Sequence, residues 1–173
     1  MFFLSEETRQ FCFPLDHRPL DWTAAARYFG APRPGGRLHA GCDLLAPVGT
    51  IIYSIADGVL VSHGSYQFTG PRQGLLVTHA VEIRYGSLLV RYGEILPGSY
   101  IGGSQPKKGQ AIARVGRVGN HPMLHFELYT NGLSRSPLTV AGPKGGKYRR
   151  RSDITNPDPY LREWVKNVPV VKR

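Results

Sequence analysis

Six histidines, His17, His39, His63, His79, His121 and His125, carry the most versatile chemistry in this chain, since imidazole titrates near neutral pH and binds metals. One of them has a partner close by in sequence. In His39-Ala40-Gly41-Cys42-Asp43 a carboxylate follows the imidazole by four residues. From a loop entering a strand, both side chains can reach one ion, and zinc accepts both ligand types. His17, His63 and His79 have no such partner and read as structural or surface residues. The two cysteines, Cys12 and Cys42, allow two readings. They are either buried thiols or a bridge closing a loop of about 30 residues in an oxidising compartment.

Side chains that share an ion need a rigid support, and the sequence describes a sheet more readily than helices. Candidate strands are residues 50–55, 58–62, 74–79, 81–85, 88–92, 111–115 and 123–129. They are separated by turn signals such as Asp57-Gly58 and Tyr85-Gly86-Ser87. Residues 21–29 predict a short helix with Asp21 as N-cap and Gly30 at its end, and residues 159–165 predict a second with Pro159 in its first turn. The 21 glycines and 14 prolines suit many turns, and a hydrophobic share of 41% excludes a wholly disordered chain. The fold class is therefore mainly β: a single domain with an antiparallel β-sheet core, short terminal helices and long loops. Residues 1–30 are expected to form an N-terminal extension packing on the core, residues 31–142 the core, and residues 143–173 a basic loop and C-terminal helix. No apolar run approaches the roughly 18 residues of a membrane span.

The 22 Lys and Arg against 12 Asp and Glu leave a formal charge of +10. Such a balance favours polyanionic partners: nucleic acid, anionic lipid or the acidic polymers of a bacterial wall. Nucleic acid is not expected, because no strand alternates aromatic residues with Lys or Arg. Lys144, Lys147, Arg149, Arg150 and Arg151 concentrate positive charge with no intervening acid. This run reads as a solvated loop or as an electrostatic contact.

Four motifs occur in order: Arg37-Leu38-His39-Ala40-Gly41-Cys42-Asp43-Leu44-Leu45-Ala46-Pro47-Val48-Gly49-Thr50, Lys108-Gly109-Gln110-Ala111-Ile112-Ala113, Met123-Leu124-His125-Phe126-Glu127 and Asp158-Pro159-Tyr160-Leu161. Together they resemble the LytM/lysostaphin-type zinc metallopeptidases over residues 37–161. That resemblance implies a small antiparallel sheet with a metal groove above it, and His39, Asp43 and His125 as ligands of Zn2+. Strand alternation agrees, turning Met123, His125 and Glu127 one way and Leu124, Phe126 and Leu128 into the core. Three protein ligands leave a fourth position open, the arrangement of a catalytic rather than a structural zinc.

The sequence departs from the family at its two non-ligand catalytic histidines. Met123 stands where the family has the first His of H-x-H, and Glu94 where it has the His of Y-x-H. Glu94 is the candidate general base, as in other zinc peptidases where a carboxylate deprotonates the attacking water. His121 is a candidate to stabilise the oxyanion or protonate the leaving amine, or else an exposed loop residue. Alternation puts Tyr92 on the face of Glu94, where it and Met123 could meet substrate. The resemblance thus implies a zinc endopeptidase acting on the peptide bonds of peptidoglycan, stem or cross-bridge. The alternative is a catalytically inactive wall-binding or hydrolase-regulating module. The N-terminus reads without a classical signal peptide. A wall enzyme of this kind would then reach the periplasm or envelope as a phage lysis or tail protein, or as an antibacterial toxin injected as a secreted effector. An immunity or inhibitor protein, or a secretion or tail component, would be its expected partners.

Overall fold

The structure is a computed structural model that describes residues 11–69 and 75–168. In chain order its strands are β1 (Pro32–Arg33), β2 (Arg37–Leu38), β3 (Cys42–Leu45), β4 (Ile51–Tyr53), β5 (Val59–Thr69), β6 (Leu75–Tyr85), β7 (Leu88–Gly93), β8 (Ala111–Arg114), β9 (Gly116–Val118), β10 (His121–Tyr129) and β11 (Ile154–Thr155). The single α-helix among the described residues is α1 (Asp158–Trp164). All the strand pairings are antiparallel, as the sequence predicts. No helix among the described residues is long and apolar enough to cross a membrane.

Strand β10 is the axis of the main sheet. It pairs along one edge with β9 and then β7, and along the other with β3 and then β11, while β6 and β5 extend the sheet beyond β7. Its alternation divides the molecule. Leu124, Phe126 and Leu128 are fully buried, and they meet Cys42 and Leu44 of β3, Val90 and Tyr92 of β7, and Val81 and Ile83 of β6 in one apolar cluster. Asp43, Gly93, Arg91, His125 and Glu127 occupy the opposite face, because residues directly across a ladder point the same way.

The N-terminal segment closes the core from below. Phe13, Leu15 and Trp22 join the apolar cluster. Phe11 stacks on Trp164 of α1 at 5.1 Å, and Trp22 donates its indole N–H to Asp158 Oδ1 at 2.8 Å. Asp158 and Leu161 of the last motif are thus anchors between chain ends. The helix expected over 159–165 forms as α1.

Two local expectations differ from the structure. Residues 21–29 form consecutive turns instead of a helix. Asp21 caps Thr23 as anticipated, but Arg27 captures the Asp21 carbonyl and Ala25 adopts a φ of 51°, which no right-handed helix accommodates. Segments 74–79 and 81–85 form one strand, β6, with Gly74 outside the described residues; its partner β5 extends well past Ser62. Nothing at Ala80 can turn the chain, and residues 63–66 are too polar to announce a strand.

Candidate metal centre

Strand register assembles most of the site. His125 lies opposite Asp43 of β3 on one side and Gly93 of β7 on the other. The β1–β2 hairpin delivers His39 from the third direction, and the His39 N–H and C=O are both tied to the segment ahead of β1, through Ala31 and Gly30. Gly41 lets β10 pass close by: a Cβ there would lie 2.3 Å from the Phe126 carbonyl oxygen. The glycine within the His39–Asp43 motif is therefore a packing requirement of the site.

His39 Nε2, Asp43 Oδ1 and His125 Nδ1 converge. They are separated by 3.1 Å (His39 to Asp43), 3.1 Å (His39 to His125) and 2.8 Å (His125 to Asp43). All three residues are buried. The remaining ring nitrogens are committed elsewhere. His39 Nδ1 donates to the Tyr28 carbonyl at 2.8 Å, and His125 Nε2 donates to Glu127 Oε1 at 3.0 Å. Each imidazole thus aims its other nitrogen at the Asp43 oxygen, where loss of the proton would present a lone pair to a metal. Zinc bonds of about 2.0–2.1 Å give a tetrahedral edge of about 3.3 Å, close to these separations. The donor set, its spacing and its oriented rings fit a zinc ion.

The electrostatics fit too. Burial works against a charge on His125, yet its hydrogen bonds to the carboxylates of Asp43 and Glu127 outweigh it and lift the ring to about 10. A metal at Nδ1 must therefore displace a proton. Burial opposes the Asp43 charge, but hydrogen bonds from both histidines hold its carboxyl well below the usual carboxylate range. Burial pushes His39 down, with partial compensation from Asp43. Glu127 is fully buried, and Arg150 and Arg91 keep it ionised against that burial. Arg150 Nη2 lies 2.7 Å from its Oε1, and the Tyr129 hydroxyl donates to its Oε2.

Glu94 lines the same cavity of about 420 Å³ as the three converging groups. It follows β7 with a φ of 62°, a strained conformation for a residue with a side chain. Its Oε2 accepts from Thr78 Oγ1 and its Oε1 from the Tyr66 hydroxyl at 3.4 Å. Burial raises its carboxyl above the ordinary range. Met123 also lines the cavity. His121 does not; it stands exposed at the outer end of β10.

Tyr92 is placed differently from expectation. Its ring is fully buried on the core face, with its hydroxyl 2.7 Å from that of Tyr85. Alternation fails between Tyr92 and Glu94 because β7 ends at Gly93 and the left-handed backbone of Glu94 swings its side chain to the cavity face. Cys12 and Cys42 are both buried free thiols. The supporting roles of Glu127, Arg150, Thr78 and Tyr66 are not legible in the sequence. The only signal was the two-residue step from His125 to Glu127.

Comparison with known proteins gives consistent similarities. Residues 37–137 match the family model described as Peptidase family M23. The chain is 31% identical over 134 residues to the peptidoglycan DD-endopeptidase ShyC of Vibrio cholerae, which covers 76% of this chain and 29% of that protein. It is 34% identical over 110 residues to the DD-carboxypeptidase/endopeptidase Mpg of Neisseria meningitidis, covering 62% of this chain and 24% of that protein. The chain thus spans less than a third of the length of these curated relatives. Among solved structures it resembles in fold the catalytic domain of the antimicrobial peptidase lysostaphin from Staphylococcus simulans. That similarity has a TM-score of 0.54 at 23% identity, over 78% of this chain and 89% of that one.

Proposed function

The chain belongs to peptidase family M23, and from that premise we propose that it is a zinc-dependent endopeptidase hydrolysing peptide bonds in bacterial peptidoglycan, with Glu94 as general base. The observation that carries this reading is the convergence of His39, Asp43 and His125 in a cavity whose wall also holds Glu94. The Vibrio cholerae relative, a peptidoglycan DD-endopeptidase, supports the substrate class.

Zinc held by the three ligands would polarise the scissile carbonyl and make a water acidic enough to attack it. The protein's own residues handle the proton. Glu94 accepts it from the attacking water at a carboxylate oxygen, with Thr78 and Tyr66 fixing the carboxylate plane. A carboxylate raised by burial is a stronger base than a solvated one. As the C–N bond breaks, Glu94 returns the proton to the leaving nitrogen, giving a free acid and an amine. Arg33 Nη2 lies 3.4 Å from Asp43 Oδ2 and holds the ligand carboxylate in orientation. For His121 to stabilise the oxyanion, the β9–β10 turn must fold toward the cavity.

Met123 favours a second reading, a wall-binding module without activity, since a thioether cannot transfer a proton. One experiment separates the two. Purified peptidoglycan is digested with the zinc-loaded protein, and released muropeptides are identified by mass spectrometry, with and without chelator. Glu94→Gln is expected to retain about one zinc per chain and to lose at least about 100-fold in rate. Wild-type turnover in Glu94→Gln removes Glu94 as the base. No release by the wild-type protein supports the inactive module.

A further inference from the structure

The basic run after Gly142 is divided by the fold into two groups with different fates. Arg150 and Arg151 turn inward to Glu127 and Asp153. Lys147 and Arg149 turn toward Arg37, and these three cations line a cleft of about 270 Å³ with Gly36, Pro143 and Gly146. None of the three forms an ion pair among the described residues, whereas Arg33, Arg91, Arg150 and Arg151 all do. The cleft is a formed feature. Leu38 N–H donates to the Lys147 carbonyl at 2.9 Å, and Tyr148 stacks on Phe29 at 4.7 Å, pinning the loop against β2.

Its position gives it meaning. Arg37 lines both this cleft and the cavity of the metal centre, so the two adjoin at its side chain. Arg37 lies two residues before His39 in β2, which in extended backbone is about 7 Å. An extended substrate advances about 3.3–3.6 Å per residue. A substrate residue one or two positions from the scissile bond would therefore reach the cleft. Three uncompensated cations in a concave site favour an anion, and Arg favours planar, bidentate carboxylate contacts.

We propose that Arg37, Lys147 and Arg149 form a carboxylate subsite that selects substrates carrying a free carboxylate one or two residues from the bond cut. The proposal rests on the endopeptidase reading above for its biological meaning, but its binding component can be measured without turnover. Gly36 and Gly146 shape the rim of the cleft through left-handed backbone, with φ of 70° and 56°.

The test uses one cross-linked muropeptide dimer in two forms, with free carboxylates and with the same groups converted to primary amides. Binding of both is measured calorimetrically to the metal-free protein, and kcat/KM to the zinc-loaded protein. The wild type is expected to favour the free acid by about tenfold in Kd, as charge-assisted contacts allow. Lys147→Gln/Arg149→Gln should bring that ratio close to one while leaving binding of the amide form unaffected, and Arg37→Gln should likewise bring the ratio close to one. Thermal melting checks that each variant folds. A ratio unchanged by the variants, or equal losses on acid and amide, overturns the subsite. If the acid preference in binding is present and lost as expected while neither form is cleaved, the subsite stands and the endopeptidase reading fails.

Discussion

Glu127 shows how much of a metal centre is decided by residues that never touch the metal. It fixes the tautomer and rotation of His125 by accepting from Nε2 at 3.0 Å, and its own charge is sustained by Arg150 and Arg91. Glu127→Gln keeps an acceptor for His125 but leaves the Arg150 guanidinium without its counter-charge and Arg91 with Glu82 alone. Zinc affinity is then expected to fall about 10- to 100-fold, as for other partners of ligating histidines. Competition against a chromogenic chelator measures it, and an unchanged affinity would separate Glu127 from ligand support. At this scale the sequence was partly legible. The spacing of His39 and Asp43 announced a shared ion, while His125 needed the family resemblance. Arg150 could not be paired with Glu127 in advance, because their contact spans 23 residues and exists only after the loop folds back. Tyr92 was misplaced because alternation was carried through Glu94, where the backbone leaves the strand.

The elements around Glu94 explain how its strained backbone persists. Strand β9 presses against it: Gly116 N–H donates to the Glu94 carbonyl at 2.7 Å, and a Cβ at position 116 would lie 2.6 Å from that same oxygen. The Ile95 N–H is held in turn by the His79 carbonyl. Gly116→Ala must therefore displace β9, or the turn carrying Glu94, or both. The expected loss is about 1–3 kcal/mol of stability, as for other overpacked sites. For a chain of this length that is about 2–4 °C in Tm per kcal/mol. The rate on peptidoglycan should fall further than the melting shift explains, because Glu94 moves relative to the ligands. A wild-type rate at a temperature where the variant is folded would show that β9 does not set the position of Glu94. Strands with clean alternation, residues 88–92 and 123–129, were readable in the sequence. Strands β9 and β11 were not, being two or three residues long and defined only by the β10 edge they join.

At the scale of the molecule, the charge of +10 is not a diffuse property and does not lie apart from the metal centre. The run that concentrates it wraps the site, with Arg150 under His125 and Lys147 and Arg149 in the adjoining cleft. The N-terminal segment is equally integrated. Phe13, Leu15 and Trp22 share one apolar cluster with Phe126 and Trp164, so residues 11–22 should unfold with the sheet and not before it. The two cysteines report on this from the N-terminal segment and from the sheet. Cys12 donates its thiol to the Ser54 carbonyl at 3.3 Å, and Cys42 lies in β3 beside Phe126. Burial raises both thiols, Cys42 to about 12, so neither offers an appreciable thiolate fraction at pH 8 in the native state. Ellman's reagent is expected to label neither in the folded protein. In a urea series on the Cys12→Ser and Cys42→Ser variants, the remaining thiol of each should become reactive across that variant's own unfolding transition, followed by circular dichroism. Labelling of Cys12 at urea concentrations where the sheet is intact would show that the N-terminal segment is a separately unfolding extension and not part of the single cooperative core.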